Sequence, residues 1–391
     1  MLSCLHYIVA RATWTLVLAI SIYSIAVLLM TSSMIQREVL FLSRLQAWWL
    51  DLNNPEQFGF ARNQVTPFNF TTPDNETLYA WHIMPLGLYA RYKSALCQKP
   101  TGFVDDITHS LPFRLLIDNP DSRLIINFHG NAGDVGQGWR TDSYRALTDS
   151  TSNIHILTVD YRGFGLSTGV PSEKGVIIDA ITTIKWAIDV AKIPTSRIVI
   201  LGHSLGTAVA TAAVEHYAQQ GVDFAGTVLV APFSNMENVF STYTIAGLIP
   251  VLSPLALHPA AQKWLLSGLT GQWASDERIA SLVRLSKRLR LFIIHSMNDC
   301  TIPWHHSNSL FAAAANATVE GGMEMDLLLK MKARSTINIG NGFTSIWKAE
   351  SDKIITQKVV EYGHHSRILT YAPVVLAVRG AFGIDVDETF P

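Results

Sequence analysis

The stretch Arg197–Thr207, RIVILGHSLGT, leads an apolar, β-branched run into a glycine-flanked serine and on into a helix of small residues that reaches Val214. Strand, sharp turn and helix in that order are the context of a nucleophile elbow. The backbone doubles back so tightly there that side chains two places before and after the serine would collide, hence Gly202 and Gly206. The Ser204 oxygen then projects above a sheet, and the Leu205 amide faces the same point. Ser204 is the expected nucleophile and Leu205 the first expected oxyanion donor.

A serine hydroxyl attacks poorly until a base removes its proton. On such an elbow the chain order is serine, acid, histidine. The run Leu291–His295 continues through Ser296, Met297 and Asn298 to Asp299, which lies just past a strand end and ahead of Pro303. Asp299 is the expected acid, although an Asx turn is the plainer reading of an aspartate placed so. Asn298 cannot serve as the anion. Beyond the run Lys358–Tyr362 come Gly363, His364, His365 and Ser366. His364, beside the turn glycine, is the better placed base, with His365 as the alternative. His305 and His306 follow Asp299 too closely and belong to the next helix; His295, inside a strand, reads as a core residue.

A second oxyanion donor, worth about 3–4 kcal/mol in the transition state, should come from a loop after an early strand. Asn127–Gly133, NFHGNAG, occupies that place, with the Asn131 amide as candidate donor and His129 anchoring the loop. His129 to Asp134 also spells the H-x4-D pattern of some acyltransferases. Asp160–Gly165, DYRGFG, reads as a glycine-rich turn with Arg162 pairing locally. There is no HExxH, no paired cysteine motif, no close carboxylate cluster and no GxxxxGK[ST], so neither a metal nor another cofactor is expected.

Outward from the site, short apolar runs alternate with helical patterns. Strands are expected at Leu78–Met84, Arg123–Phe128, His155–Val159, Arg197–Leu201, Thr227–Val230, Leu291–His295 and Lys358–Tyr362, and helices at Glu173–Ala191, Leu205–Gln220 and His306–Ala315. Alternation of this kind implies an α/β fold with a doubly wound, largely parallel sheet. Two segments break the rhythm. Residues 240–285, rich in Pro, Trp, Leu and Ala, read as a helical cap over the strand ends, and Val319–Ser351 as an insertion.

Composition narrows the function. The 391 residues carry 30 basic and 31 acidic side chains, without the basic excess that phosphate contacts require, so no nucleic-acid partner is expected. A hydrophobic share of 48% excludes disorder and supports a large core. The three cysteines, Cys4, Cys97 and Cys300, form neither a disulfide framework nor a zinc pattern.

Residues 1–40 are set apart as a membrane anchor, with a transmembrane helix over about 12–32, ahead of a catalytic domain at 50–391. From Ala12 to Gln36 no residue is charged, and Ala12–Met30 can cross a hydrocarbon core of about 30 Å. A cleaved signal peptide would have a shorter apolar region ending in small residues; here Leu28, Leu29 and Met30 lead into Thr31. Arg11 before the helix and Arg37 and Arg44 after it nearly balance the positive-inside signal. Three glycosylation triplets, beginning at Asn69, Asn75 and Asn316, favour a lumenal domain.

Taken together, HGNAG (129–133), DYRGFG (160–165), GHSLGT (202–207), the Asp299 loop and the late glycine-histidine resemble the membrane-anchored α/β-hydrolase-domain lipases, in the branch acting on monoacylglycerols and lysophosphatidylserine. Asp51–Pro55 and Trp81–Pro85 are similar to segments of that branch. The resemblance covers roughly Leu50 onward; Val319–Ser351 has no counterpart, and Ser253–Trp273 is only loosely similar. It implies an α/β-hydrolase fold with a Ser204–Asp299–His364 triad, an N-terminal anchor and a site on the lumenal side of the endoplasmic reticulum. The expected partners are a lipid ester substrate and the bilayer, with no obligate protein partner. The expected activity is lipid ester hydrolysis through an acyl-enzyme. Alternatives are an acyl-protein thioesterase, an acyltransferase, or an inactive, membrane-tethered binding module.

Overall fold

The computed structural model describes residues 2–45, 48–149, 152–242, 244–245, 249–250, 258–349 and 352–384. The chain opens with the helices α1 (Leu2–Leu29) and α2 (Ser33–Phe41). The sheet begins with β1 (Val65–Thr71), β2 (Thr77–Ile83), β3 (Arg123–Phe128) and β4 (Ile154–Val159), with α3 (Leu86–Cys97) and α4 (Leu111–Ile117) after β2 and α5 (Trp139–Asp149) after β3. Then come α6 (Glu173–Asp189), β5 (Ile198–His203), α7 (Leu205–Ala218), β6 (Gly226–Val230) and α8 (Met236–Thr242). A small hairpin of β7 (Thr244–Ile245) and β8 (Ile249–Pro250) precedes β9 (Leu289–Ser296), β10 (Thr336–Ile339), β11 (Gly342–Ala349) and β12 (Lys353–Val360).

Among the described residues the main sheet has ten strands in the order β1-β2-β4-β3-β5-β6-β9-β12-β11-β10. From β4 through β12 in that order every pairing is parallel. The edges β1-β2 and β11-β10 are antiparallel. The chain leaves β3 for β4 on one side and reaches β5 on the other, so the carboxyl ends of β3 and β5 flank a topological switch point, where α/β sheets bind ligands. Gly202 pairs with Phe128 across that gap.

The central strands are buried along their full length, as strands covered on both faces must be. One face packs under α6, α7 and the helices Ser275–Leu285 and His305–Asn316. The other packs under α5 and the helix Ala372–Ala381. This is the doubly wound architecture expected from the alternation of runs.

The structure departs from expectation at both edges. β1 carries Pro67, which masks its strand pattern; at a sheet edge the missing N–H costs no ladder bond, and the Pro67 carbonyl accepts the Val104 amide (2.9 Å). Within 319–351, of which 350 and 351 lie outside the described residues, a helix, Met325–Arg334, is followed by the β10-β11 hairpin closed at Gly340-Asn341. Within 240–285, residues 243, 246–248 and 251–257 lie outside the described residues. The helix Pro259–Ser267 belongs to the irregular part. The helix Ser275–Leu285, however, buries Ile279, Leu282 and Val283 against α7 as the crossover between β6 and β9, so it is a layer of the core and not cap.

Within α1, the span His6–Leu29 has 24 residues, mean hydropathy 2.1 and no buried share, and at 1.5 Å per residue its ~36 Å is long enough to cross a bilayer core. It starts before the expected residue 12 and stops before 32. Unlike α1, α2 is docked on the domain: Gln36 and Phe41 are buried. Setting residues 1–40 apart as anchor alone misses this contact.

Candidate active site

The turn at Ser204 has φ 52° and ψ −119°, sparsely populated for a residue with a side chain and costing about 1–3 kcal/mol. The surroundings hold it there: the Ser204 amide donates to the Val230 carbonyl (3.0 Å), and α7 starts at the next residue. A Cβ on Gly202 would come within 2.3 Å of the Gly206 carbonyl oxygen. A Cβ on Gly206 would lie 2.0 Å from the Phe128 carbonyl oxygen. Gly206 is therefore required by the approach of β3, and not by the elbow alone.

Two loops bring the other groups to the serine. After β9, Asp299 sits in a turn where its Oδ1 accepts the amides of Thr301 (2.8 Å) and Ile302 (2.9 Å). Its Oδ2 faces His365 Nδ1 at 2.7 Å, and His365 Nε2 faces Ser204 Oγ at 2.8 Å. The hydroxyl, imidazole and carboxylate thus form one continuous hydrogen-bonded chain. Burial pushes the Asp299 carboxyl upward, but hydrogen bonds from His295 and His365 outweigh this and hold it well below the usual carboxylate range.

The histidine at the serine is His365 and not the expected His364. Gly363 has φ 155° and His364 φ 50°, a left-handed step that sends the His364 side chain to solvent and its neighbour inward. Tertiary contacts fix the step: the His364 amide donates to Asn298 Oδ1 (2.8 Å), and its carbonyl accepts the Ser296 hydroxyl (3.1 Å). His203 Nε2 donates to the His365 carbonyl (2.9 Å). Burial and the neighbouring His365 pull the His203 imidazole down to about 3, so it stays neutral and serves as a brace.

The two amides expected to hold an oxyanion, those of Leu205 and Asn131, meet no acceptor among the described residues, and Asn131 lines a cavity of about 200 Å³ over Ser204. The loop carrying Asn131 is clamped from both sides. Arg140 Nη2 donates to the carbonyls of Gly130 (3.0 Å), Asn131 (3.0 Å) and Ala132 (2.7 Å). From α2, the Leu40 carbonyl accepts the Asn131 carboxamide (3.0 Å) and the Phe41 carbonyl accepts the Ala132 amide (2.9 Å). Gln36 ties α2 in turn to the segment after helix Pro259–Ser267. Its Nε2 donates to the Gly268 carbonyl (2.8 Å), and its Oε1 accepts the Thr270 amide (2.8 Å) and hydroxyl (2.9 Å).

Several of these roles were not legible beforehand. His295 packs in its strand, as expected, but also donates to Asp299 Oδ2 (3.1 Å) or the Ile302 carbonyl (3.0 Å). Arg140 and Gln36 carry no motif. Arg162 does not pair locally. It bridges Asp74 (2.8 Å) and buried Asp179 (2.8 Å), joining the β1-β2 turn to α6. His129 is buried against Tyr161 with ring centroids 4.4 Å apart, and burial drives its pKa well down. Asp134 accepts the Gly136 amide (2.9 Å) and not His129, so the H-x4-D pattern builds no proton relay. The two segments 51–55 and 81–85 meet where the Trp81 indole donates to the Leu52 carbonyl (3.2 Å).

Residues 125–329 match the model of the alpha/beta hydrolase family. Among curated proteins, the chain is 28% identical over 287 residues to the lysophosphatidylserine lipase ABHD12 of Gallus gallus, covering 72% of this chain and 67% of that protein. It is 26% identical over 309 residues to the same-named lipase of Danio rerio, covering 78% and 73%. It is 32% identical over 197 residues to the Homo sapiens protein ABHD12B, covering 50% of each. Among solved structures, an alpha-beta hydrolase from Vibrio vulnificus superposes with a TM-score of 0.54 at 15% identity, over 89% of this chain and 90% of that one.

Proposed function

Because the chain belongs to the alpha/beta hydrolase family, we propose that Ser204, His365 and Asp299 are the triad of a membrane-anchored serine hydrolase acting on carboxylic esters of lipids. The observation that carries this reading is the unbroken chain from Ser204 Oγ through His365 to Asp299 Oδ2. His365 Nε2 takes the hydroxyl proton as Oγ attacks the ester carbonyl, and the amides of Leu205 and Asn131 hold the oxyanion. The same nitrogen returns the proton to the departing alcohol, leaving an acyl-Ser204. Water, deprotonated by His365, then releases the fatty acid. Asp299 keeps the imidazole in the right tautomer and stabilises its cation.

The relatives named as lysophosphatidylserine lipases support a lysophospholipid or monoacylglycerol as the substrate class. A fluorophosphonate probe should label the full-length protein at Ser204, and micromolar lysophosphatidylserine or monoacylglycerol should slow the labelling more than lipids lacking an ester. Labelling that only acyl-thioesters slow would favour a thioesterase, and failure to label the folded protein would favour a catalytically inert binding module.

Single-pass membrane attachment through α1 fits its length, and a lumenal domain in the endoplasmic reticulum follows if the acceptor asparagines are used. Asn75, at the tip of the β1-β2 turn, and Asn69, on the edge strand, are exposed. Asn316 is half-buried with its carboxamide oxygen taken by the Met323 amide. Endoglycosidase should therefore shift the mobility of the wild-type chain and leave an Asn69→Gln/Asn75→Gln variant unmoved. An unglycosylated wild type would turn the domain to the cytosol.

A further inference from the structure

Beyond the anchor itself, we propose that the exposed face of residues 34–45, together with Trp48 and Trp49, is a bilayer-docking surface that lays the mouth of the active site against the lipid headgroups. The inference rests on the reading of α1 as a membrane span.

Chain connectivity keeps the start of this segment close to the headgroup layer. Only Met30, Thr31 and Ser32 separate α1 from α2. At no more than about 3.6 Å per residue they keep the start of α2 within roughly 14 Å of the end of α1. The polar layer on each side of the core is itself about 5–8 Å deep. The surface has the chemistry of that layer. Met34, Val39, Leu42 and Leu45 are exposed, Trp48 is 85% and Trp49 67% exposed, and the two indoles contact edge to face at 5.6 Å. Burying such side chains is favourable, and tryptophan concentrates at membrane interfaces because its ring is apolar with one polar edge. The charged group on this side, Glu38, is flanked by Arg37 (3.6 Å) and Arg44 (3.6 Å), so the face reaches the lipid without an uncompensated anion.

The inward face of the same segment holds the oxyanion loop through Leu40 and Phe41 and the residues after helix Pro259–Ser267 through Gln36. A segment pinned to the headgroups outside and to the cavity rim inside fixes the height of that rim above the bilayer. An amphiphilic ester then reaches Ser204 from the leaflet without first crossing water.

The test uses the full-length protein in phosphatidylcholine vesicles with and without brominated acyl chains. Bromine quenches nearby tryptophan, and comparison with a Trp48→Ser/Trp49→Ser variant isolates the pair from the other tryptophans. The wild type should show a quenched component that the variant lacks. The variant should lose about tenfold in kcat/KM on vesicle-borne monoacylglycerol while keeping turnover of a soluble short-chain nitrophenyl ester. Equal quenching of the two proteins would overturn the proposal. So would an equal fall on both substrates, which assigns the face to folding, or burial of the indole pair in a dimer of this chain. If quenching appears but the wild type turns over neither ester, the lipase reading fails and the docking surface stands.

Discussion

Alanine at His365 is expected to lower kcat by about 10⁴–10⁶-fold, while alanine at His364 leaves it within about threefold of wild type. The two side chains are adjacent in sequence and opposite in consequence. Without the His365 imidazole, Ser204 Oγ loses its only hydrogen-bonded base among the described residues; His203, beside it in sequence, is directed to the His365 carbonyl. The rate that remains comes from the oxyanion donors and substrate positioning. His364 contributes to the site through its backbone, which alanine retains at some conformational cost, since φ 50° suits glycine or asparagine better. Steady-state kinetics on a soluble nitrophenyl ester, with fluorophosphonate labelling as a second readout, separate the two variants. A stronger loss at His364 than at His365 would dismantle the triad described above.

Asp299→Asn is expected to cost about 10⁴-fold in kcat with KM little changed. Its Oδ1 is occupied by two backbone amides, so the asparagine carboxamide keeps its oxygen there and turns its NH₂ toward His365 Nδ1. The imidazole answers by carrying its proton on Nε2, where it can no longer take one from Ser204. The same carboxylate bears on stability, with a definite sign. Because its native pKa is depressed, the stabilisation it gives is complete above the unfolded value of about 3.9 and is lost as pH falls toward the native one. The melting temperatures of wild type and Asp299→Asn should therefore differ most near neutral pH and converge below about pH 4. A gap that widened on acidification would contradict the hydrogen bonding assigned to Asp299.

The central sheet was legible because its strands are apolar on both faces and end in loops rich in glycine and histidine, a pattern that a solvent-facing strand does not make. The elbow was legible because two steric collisions, one inside the turn at Gly202 and one with β3 at Gly206, leave glycine at two positions around one serine. Choosing between His364 and His365 lay beyond local information, because Asn298 and Ser296, more than sixty residues earlier in the chain, set the left-handed step. Arg140 escaped notice for a related reason, since one guanidinium gathering four carbonyls leaves no spacing signature. β1 was hidden by Pro67, whose penalty vanishes at an edge, and β10-β11 by their place in a stretch read only as an insertion. Arg162 shows the reverse error, a proximity assumption where the partners are Asp74 and Asp179.

A protease working at the membrane surface would meet two very different bonds within a dozen residues. On the proposed anchoring, a cut in the turn Met30–Ser32 would part the domain from its span while leaving it the strap that holds the Asn131 loop. A cut just past Phe41 would leave Gln36, Leu40 and Phe41 behind with the lipid and release a domain whose oxyanion loop had lost one of its two clamps. Because the tether doubles as a brace for the loop beside the serine, shedding and inactivation become separable events decided by where the chain is nicked.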